Sequence, residues 1–541
     1  MQWHCSYRTL FLAVLASFCL GPVGIASAPA QTASRQPRSV PSAAPPEQRT
    51  ARAFDTALHN GPLELHVFLE QMPKGADLHN HLTGAVYAET WIREAAEDNL
   101  CVDLATDTLV RPIGQTRRLS APPVCGPGRV AASHALQDAA LYDALVDAFS
   151  MRAFVPSEAS SGHDHFFAAF GKFGVVPHTY AGEWLDEEAT LAAEENTQYL
   201  ELMDTPDFGD GAKLGAQLGW DPDLEQFRRD LLAHGLRNGV AKAKDALTKA
   251  EQQRDMLEHC GQPNAAPSCA VTVRFLFQVL RGFPKEQVFA QMLLGFEVAS
   301  AVPDVVGVNI VMPEDGYISM RDYHLQMQMF DMLHRHYPQV HLSLHAGELA
   351  PGLVPPEGLR FHVRQAMDLG HAERIGHGVD VMYEDRPYDL LREMAQKHVM
   401  VEINLTSNDE ILGVKGADHP FPIYRRYGVP VALSTDDEGV SRIDLTHEYV
   451  RAVESYGLHY ADLKQMARTS LEHAFLPGAS LWPSAARTTP EAFTQIAAPC
   501  AHDVPGAGGP SRGCAAFLAG SQKAQQQWEL EGRFHAFEGR Y

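Results

Sequence analysis

Basic residues are in short supply. The chain of 541 residues has 44 Lys+Arg against 67 Asp+Glu, a formal net charge of -23. That balance argues against nucleic-acid backbones and anionic membranes as main partners, because both favour a cationic surface. It leaves open a small nucleobase or nucleoside, which a pocket recognises rather than a field. No apolar run is long enough to cross a bilayer. Cysteine is sparse, at 8, and no Cys-x-x-Cys occurs, so a zinc knuckle is not indicated. There is no His-Glu-x-x-His, which removes zinc-protease chemistry. His371-Ala372-Glu373 supplies half of the cytidine-deaminase signature, but no Pro-Cys-x-x-Cys accompanies it. The Gly506-Ala507-Gly508-Gly509 segment lacks a following Gly-Lys-Ser/Thr and reads as a turn.

What is present is a core. Hydrophobic residues make up 45% and charged residues 21%, a globular profile. At the N-terminus, Arg8, an apolar run from Leu10 to Leu20 and Ala28-Pro29-Ala30 read as a cleaved export signal over residues 1–30. The expected destination is the periplasm or the medium, with no membrane anchor. Residues 31–53 read as a flexible lead-in and residues 54–72 as a helix. Two cysteines lie in the signal. The remaining six form three close couples, which predicts local bridges Cys101–Cys125, Cys260–Cys269 and Cys500–Cys514 in an oxidising compartment.

Eight short β-like runs then alternate with helical stretches such as 224–257 and 323–336. The runs are 76–82, 198–203, 271–280, 305–312, 340–345, 374–378, 400–405 and 430–435. Eight βα units predict an α/β fold, a (β/α)8 TIM barrel over residues 54–484. The long intervals after the first and second runs predict insertions there. The first of them carries a disulfide-bearing segment at 98–150. Residues 485–541 read as a C-terminal tail.

Catalysis in such barrels occurs where the strands end. The first run ends Asp77-Leu78-His79-Asn80-His81-Leu82, and alternate residues of a strand share a face, so His79 and His81 can both point inward. The fifth ends His345-Ala346-Gly347-Glu348, the sixth contains His377, and the eighth ends Asp436-Asp437. Each alone has a bland reading; Asp436-Asp437 could simply cap a helix. Together they place three His and one carboxylate on one rim, a donor set suited to one catalytic zinc per chain.

These segments resemble the adenosine deaminase family, a branch of the metal-dependent amidohydrolase superfamily. The resemblance rests on Met72-Pro73-Lys74-Gly75, Leu78-His79-x-His81-Leu82-x-Gly84, His345-Ala346-Gly347-Glu348, Arg374-Ile375-Gly376-His377-Gly378, Asn404-Leu405-Thr406-Ser407-Asn408 and Ser434-Thr435-Asp436-Asp437. The signal and the disulfide-bearing insertion are similar to its secreted, growth-factor-related members. The resemblance implies His79, His81, His345 and Asp436 as zinc ligands and Glu348 as the proton shuttle to purine N1. It further implies that His377 positions and helps deprotonate the attacking water, and that Asp437 meets purine N7. Phe166-Phe167-x-x-Phe170-x-x-Phe173 resembles the family's aromatic segment beside the pocket, though spacing alone equally allows an ordinary apolar helix face. Two positions depart from the family pattern. Met312 stands where the family has a glycine that meets purine N3 through its backbone N–H. Thr83 stands for an aspartate near the ribose. Glu314 is expected to approach the pocket. The expected reaction is hydrolytic deamination of adenosine or a close 6-aminopurine nucleoside, with no nucleic-acid partner. The alternatives are another amidohydrolase, or a binding or signalling barrel with little catalysis.

Overall fold

Strand-forming runs rich in Val, Ile, Leu and Phe end abruptly in polar or Gly-containing text, and in the computed structural model each becomes a strand of one parallel sheet. The structure describes residues 44–114, 123–206, 209–483 and 493–541. The expected signal and residues 31–43 lie outside them. In chain order the strands are β1 (Gly75–His81), β2 (Cys101–Asp103), β3 (Thr108–Val110), β4 (Arg129–Ala131), β5 (Thr197–Asp204), β6 (Thr272–Leu280), β7 (Val305–Val311), β8 (His341–Ala346), β9 (Arg374–His377), β10 (Met400–Ile403) and β11 (Val431–Leu433). Eight of them pair in the order β1-β5-β6-β7-β8-β9-β10-β11, all parallel. The ends of that sheet meet. Asn80 bridges Asp436 in parallel register. The His81 N–H donates to Asp436 O at 3.0 Å, and the Asp436 N–H to His79 O at 2.8 Å. The sheet is thus a closed (β/α)8 barrel, and the bonds that close it belong to candidate metal ligands.

The remaining strands form a small sheet, β3-β2-β4, in the insertion after β1. Cys101–Cys125 ties it to the loop that follows β3, and the structure also contains Cys260–Cys269 and Cys500–Cys514, the pairings that close spacing predicts. The insertion after β5 carries helices Asp210–Leu218, Leu224–Ala233 and Asn238–Leu257. Among the described residues no helix is long and apolar enough to cross a membrane.

Three local expectations are corrected. The lead-in is not unstructured throughout: a helix runs Pro46–Asn60, with Thr50 and Phe54 buried. The single helix expected at 54–72 is two, Pro46–Asn60 and Pro62–Glu70, because Gly61 at φ +117° breaks the chain between them and Pro62 starts the next helix. The stretch 224–257 is likewise two helices, separated at Gly235, φ +91°. From Pro45 to Tyr541 the chain packs as one compact unit. The tail is part of it. Leu530, Phe534 and Phe537 of the helix Gln522–Glu538 enter the main core, and Arg468 forks onto Glu531 at 2.6 and 2.7 Å.

Candidate active site

Three imidazoles at the strand ends are oriented by the same device. His79 Nδ1 lies 2.7 Å from Glu402 Oε2, His81 Nδ1 2.8 Å from Gln278 Oε1, and His345 Nδ1 2.8 Å from Asn309 Oδ1. Each partner oxygen accepts the Nδ1 hydrogen, which leaves each Nε2 with a free lone pair. Those lone pairs converge. His81 Nε2 and His345 Nε2 are 3.2 Å apart, and His79 Nε2 and His81 Nε2 each lie 3.3 Å from Asp436 Oδ1. His79 Nε2 is buried without a hydrogen-bond partner. Converging, buried acceptor nitrogens beside a carboxylate repel one another unless a cation or proton lies between them. The donor set therefore fits a divalent metal of the zinc type. Donor atoms of His79, His345, His377 and Asp436 all lie within 4.8 Å of one another, as do those of His81, Asp436 and Asp437.

Beneath the imidazoles is a charged layer. Glu402 also accepts from Arg374 Nε at 2.6 Å and Ser343 Oγ at 2.8 Å, and Arg374 Nη1 pairs with Glu201 at 2.7 Å. Burial alone would raise Glu402, but Arg374 and His79 hold it below the ordinary carboxylate range.

His377 is held differently. The amide N–H groups of Asn408 (2.9 Å) and Asn404 (3.3 Å) donate to its Nδ1. The ring hydrogen then sits on Nε2, which is 3.9 Å from Asp436 Oδ2 and has no hydrogen-bond partner. Burial pushes His377 down to about 3, so the ring is neutral. His377, Asp436 and Met312 adopt φ of +69°, +66° and +84°. Non-glycine residues in this region carry strain that collects at functional sites.

Above this cluster is a cavity of about 420 Å³. Glu348, Asp437, His81, His345, His377 and Asp436 reach its floor and walls, and Phe166, Phe167 and Phe170 of the helix Gly162–Phe173 supply an aromatic side. Phe173 turns away and stacks on Trp91 at 4.8 Å, so the phenylalanine repeat serves pocket and core together. Met312 and Thr83 also line the cavity. The Met312 side chain lies over Gly282, where a Cβ would stand 2.8 Å from its Cε. Gly84 has no side chain for a matching reason: a Cβ there would be 1.6 Å from Asp437 Oδ1. Among the described residues no Lys or Arg lines this cavity. Burial raises Glu348 well above its ordinary value, with Asp436 and Glu314 adding to the shift, and burial raises Asp437 to about 8.

Glu314 is not in the pocket. It is fully buried, and its carboxylate is taken by the N–H groups of Gly347 (3.2 Å) and Glu348 (2.8 Å), by His362 and by Arg281. The expectation that it approaches the substrate is corrected: it supports the loop that carries Glu348. Sequence reasoning also passed over Gln278, Asn309 and Glu402. Asn309 and Glu402 are each the one polar residue of an otherwise apolar strand, and Gln278 follows three apolar residues in a strand that also holds Thr272 and Arg274.

The closed parallel barrel gathers imidazoles and a carboxylate at its strand ends, where barrel enzymes place catalysis. The family model described as adenosine deaminase matches residues 245–480. That stretch of the chain is similar to the adenosine deaminase family. The matched span holds His345, Glu348, His377, Asp436 and Asp437; His79 and His81 precede it and are brought to them by barrel closure. An adenosine deaminase of Salmonella heidelberg is 40% identical over 137 residues, which are 25% of this chain and 38% of the relative. One from Escherichia coli is 38% identical over the same length. The chain thus spans about 38% of the length of the curated relatives it matches. Among solved structures, an adenine deaminase from Arthrobacter aurescens is 16% identical with a TM-score of 0.48, covering 74% of this chain and 94% of that one. The arabidopsis N6-mAMP deaminase is 20% identical with a TM-score of 0.48, covering 75% and 95%.

Proposed function

We propose that the protein is an exported, zinc-dependent hydrolytic deaminase that converts adenosine, or a close 6-aminopurine nucleoside, to inosine and ammonia. The observation that carries this reading is Glu348. A buried carboxyl, raised well above its usual range by burial, stands in the wall of the same cavity that His81, His345 and Asp436 line, with His79 buried beside them.

Those four residues would hold one zinc ion, whose Lewis acidity makes a water nucleophilic at neutral pH. The rest is done by the chain. Attack at purine C6 forms the C6–O bond and pushes electrons onto N1, which takes a proton from neutral Glu348. One proton of the water restores Glu348, the other passes to the amino group, and the C6–N6 bond breaks to release ammonia. His377, with its hydrogen on Nε2, orients the attacking water by donation. This favours an orienting role over the deprotonating role that the family resemblance implies. Asp437, buried with an unpartnered Oδ1, faces N7, and the strained Met312 peptide offers its N–H toward N3. The three phenylalanines exclude water from the purine faces.

The cavity favours a nucleoside over a nucleotide. A phosphate would enter a site that has no Lys or Arg among the described residues of its lining, where an uncompensated charge is costly. The leader with Arg8 and the 10–20 apolar run, together with three disulfides, supports export.

The test is a substrate panel of adenosine, deoxyadenosine, adenine, AMP and N6-methyladenosine, followed by ammonia release and purine absorbance. Adenosine or deoxyadenosine is expected to turn over, with AMP far slower. No turnover of any compound would point to another amidohydrolase reaction or to a binding barrel.

A further inference from the structure

The buried pair Arg281 and Glu314 lies behind the pocket and is not among the residues that line it. Its two ends nevertheless grip one short segment. Arg281 Nη2 donates to His345 O at 3.1 Å and to Ile310 O at 3.2 Å. Glu314 accepts from the N–H of Gly347 at 3.2 Å and of Glu348 at 2.8 Å. The other side of that segment is pinned as well, since Gly347 O accepts from the N–H of Val379 (2.8 Å) and of Asp380 (3.1 Å). Gly347 has no room to move sideways: a Cβ there would stand 2.4 Å from Asp380 Oδ1.

We propose that Glu314, charged and aimed by Arg281 and His362, is a positioning residue that fixes the Glu348 carboxyl relative to the His345 imidazole. The inference rests on the proposed role of Glu348 in proton delivery.

Stability does not explain the arrangement. Arg281 Nη1 is 3.7 Å from Glu314 Oε1, and neither Arg281 Nη1 nor Nε has a hydrogen-bond partner. A fully buried pair with that geometry recovers little of its desolvation cost. Its aim is nevertheless well defined. His362, on the helix His362–Asp368, points Nδ1 at Glu314, stacks on Tyr323 at 3.9 Å, and has its own carbonyl held by the Tyr323 hydroxyl at 2.8 Å. Gln326 Nε2 donates to Arg281 O at 3.1 Å. Three segments distant in sequence, at Arg281, Glu314 and Val379–Asp380, therefore hold the backbone between a candidate metal ligand and a candidate proton donor. A misplacement of about 1 Å at such a donor can cost about 100-fold in rate.

The test compares Glu314→Gln and Glu314→Ala with the parent. Gln keeps the shape but offers one acceptor and turns an N–H toward a backbone N–H; Ala removes both contacts. Four quantities are measured: zinc content, kcat and KM for the substrate the parent accepts, and backbone hydrogen exchange of the 345–350 segment. The expected result is kcat down about 10–100-fold, KM within about threefold, zinc content as in the parent, and faster exchange at Gly347 and Glu348. Exchange as slow as in the parent overturns the proposal. So does faster exchange with kcat unchanged, and so does a loss confined to zinc binding or KM. If Glu314→Ala does not fold, Glu314→Gln decides. Exchange needs no substrate, so a parent inactive on purines sinks the proposed reaction while exchange alone still judges the clamp.

Discussion

Gln278 holds His81. Its Oε1 takes the Nδ1 hydrogen at 2.8 Å, and this points His81 Nε2 at His345 Nε2, 3.2 Å away. A carbon in place of that amide oxygen would free the ring to rotate and to change tautomer. Gln278→Leu is therefore expected to weaken zinc binding about 10–100-fold, the usual cost of losing a ligand's hydrogen-bond partner, with the fold retained. Competition against a chelator of known affinity measures it. Equal affinity in variant and parent would show that Gln278 does not orient the ligand.

Asp436 joins two functions in one residue. Its carboxylate faces His79 and His81 at 3.3 Å, and its backbone closes the barrel against β1. At φ +66° the site tolerates Asn as readily as Asp. Asp436→Asn is expected to keep the fold and lose stoichiometric zinc together with turnover, a larger loss than that of Gln278→Leu. Full zinc occupancy and activity in the variant would remove Asp436 from the ligand set.

Glu348 separates chemistry from metal binding. Glu348→Gln keeps the size of the side chain but cannot give N1 a proton. Turnover is expected to fall about 100–10,000-fold, the range for a general acid, while zinc content stays at the parent value. Near-normal turnover would refute the proton-delivery role.

Much of this was legible in the chain. Apolar runs that stop at His, Asp or Gly marked the barrel strands to within a residue or two, because a buried parallel strand must be apolar and its end must meet the polar rim. The candidate ligands stood out for the same reason. Helix breaks at Gly61 and Gly235 were blurred, since helical periodicity continues through them and only φ decides. Glu314 was misplaced because a loop carboxylate two residues past Met312 gives no sign of which way it points. Its partners Arg281 and His362 lie 33 and 48 residues away in sequence. Gln278, Asn309 and Glu402 were visible only as polar interruptions, and their purpose depends on which imidazole the barrel brings beside each.

Glu94 gives a pH test away from the metal cluster. It is fully buried on the helix Ala88–Glu97, and the Trp184 indole N–H donates to both of its oxygens, at 2.9 and 3.1 Å. Burial raises it to about 8, with Glu183 and Glu187 adding to the shift against the lowering pull of Trp184 and Arg93. In the unfolded chain it would lose its proton near the ordinary value of about 4.3. Between roughly pH 4.5 and 8 the folded protein therefore holds a proton that the unfolded chain has released, so this group makes stability fall as pH rises. The limit for one proton is about 1.4 kcal/mol per pH unit. Glu94→Gln keeps an acceptor for Trp184 and cannot ionise. Its stability relative to the parent, from urea unfolding, is expected to improve steadily from pH 5 to pH 8. Other raised carboxyls keep their own slopes in both proteins and cancel in the difference. A difference that stays constant across that window would mean that Glu94 titrates as an ordinary carboxylate.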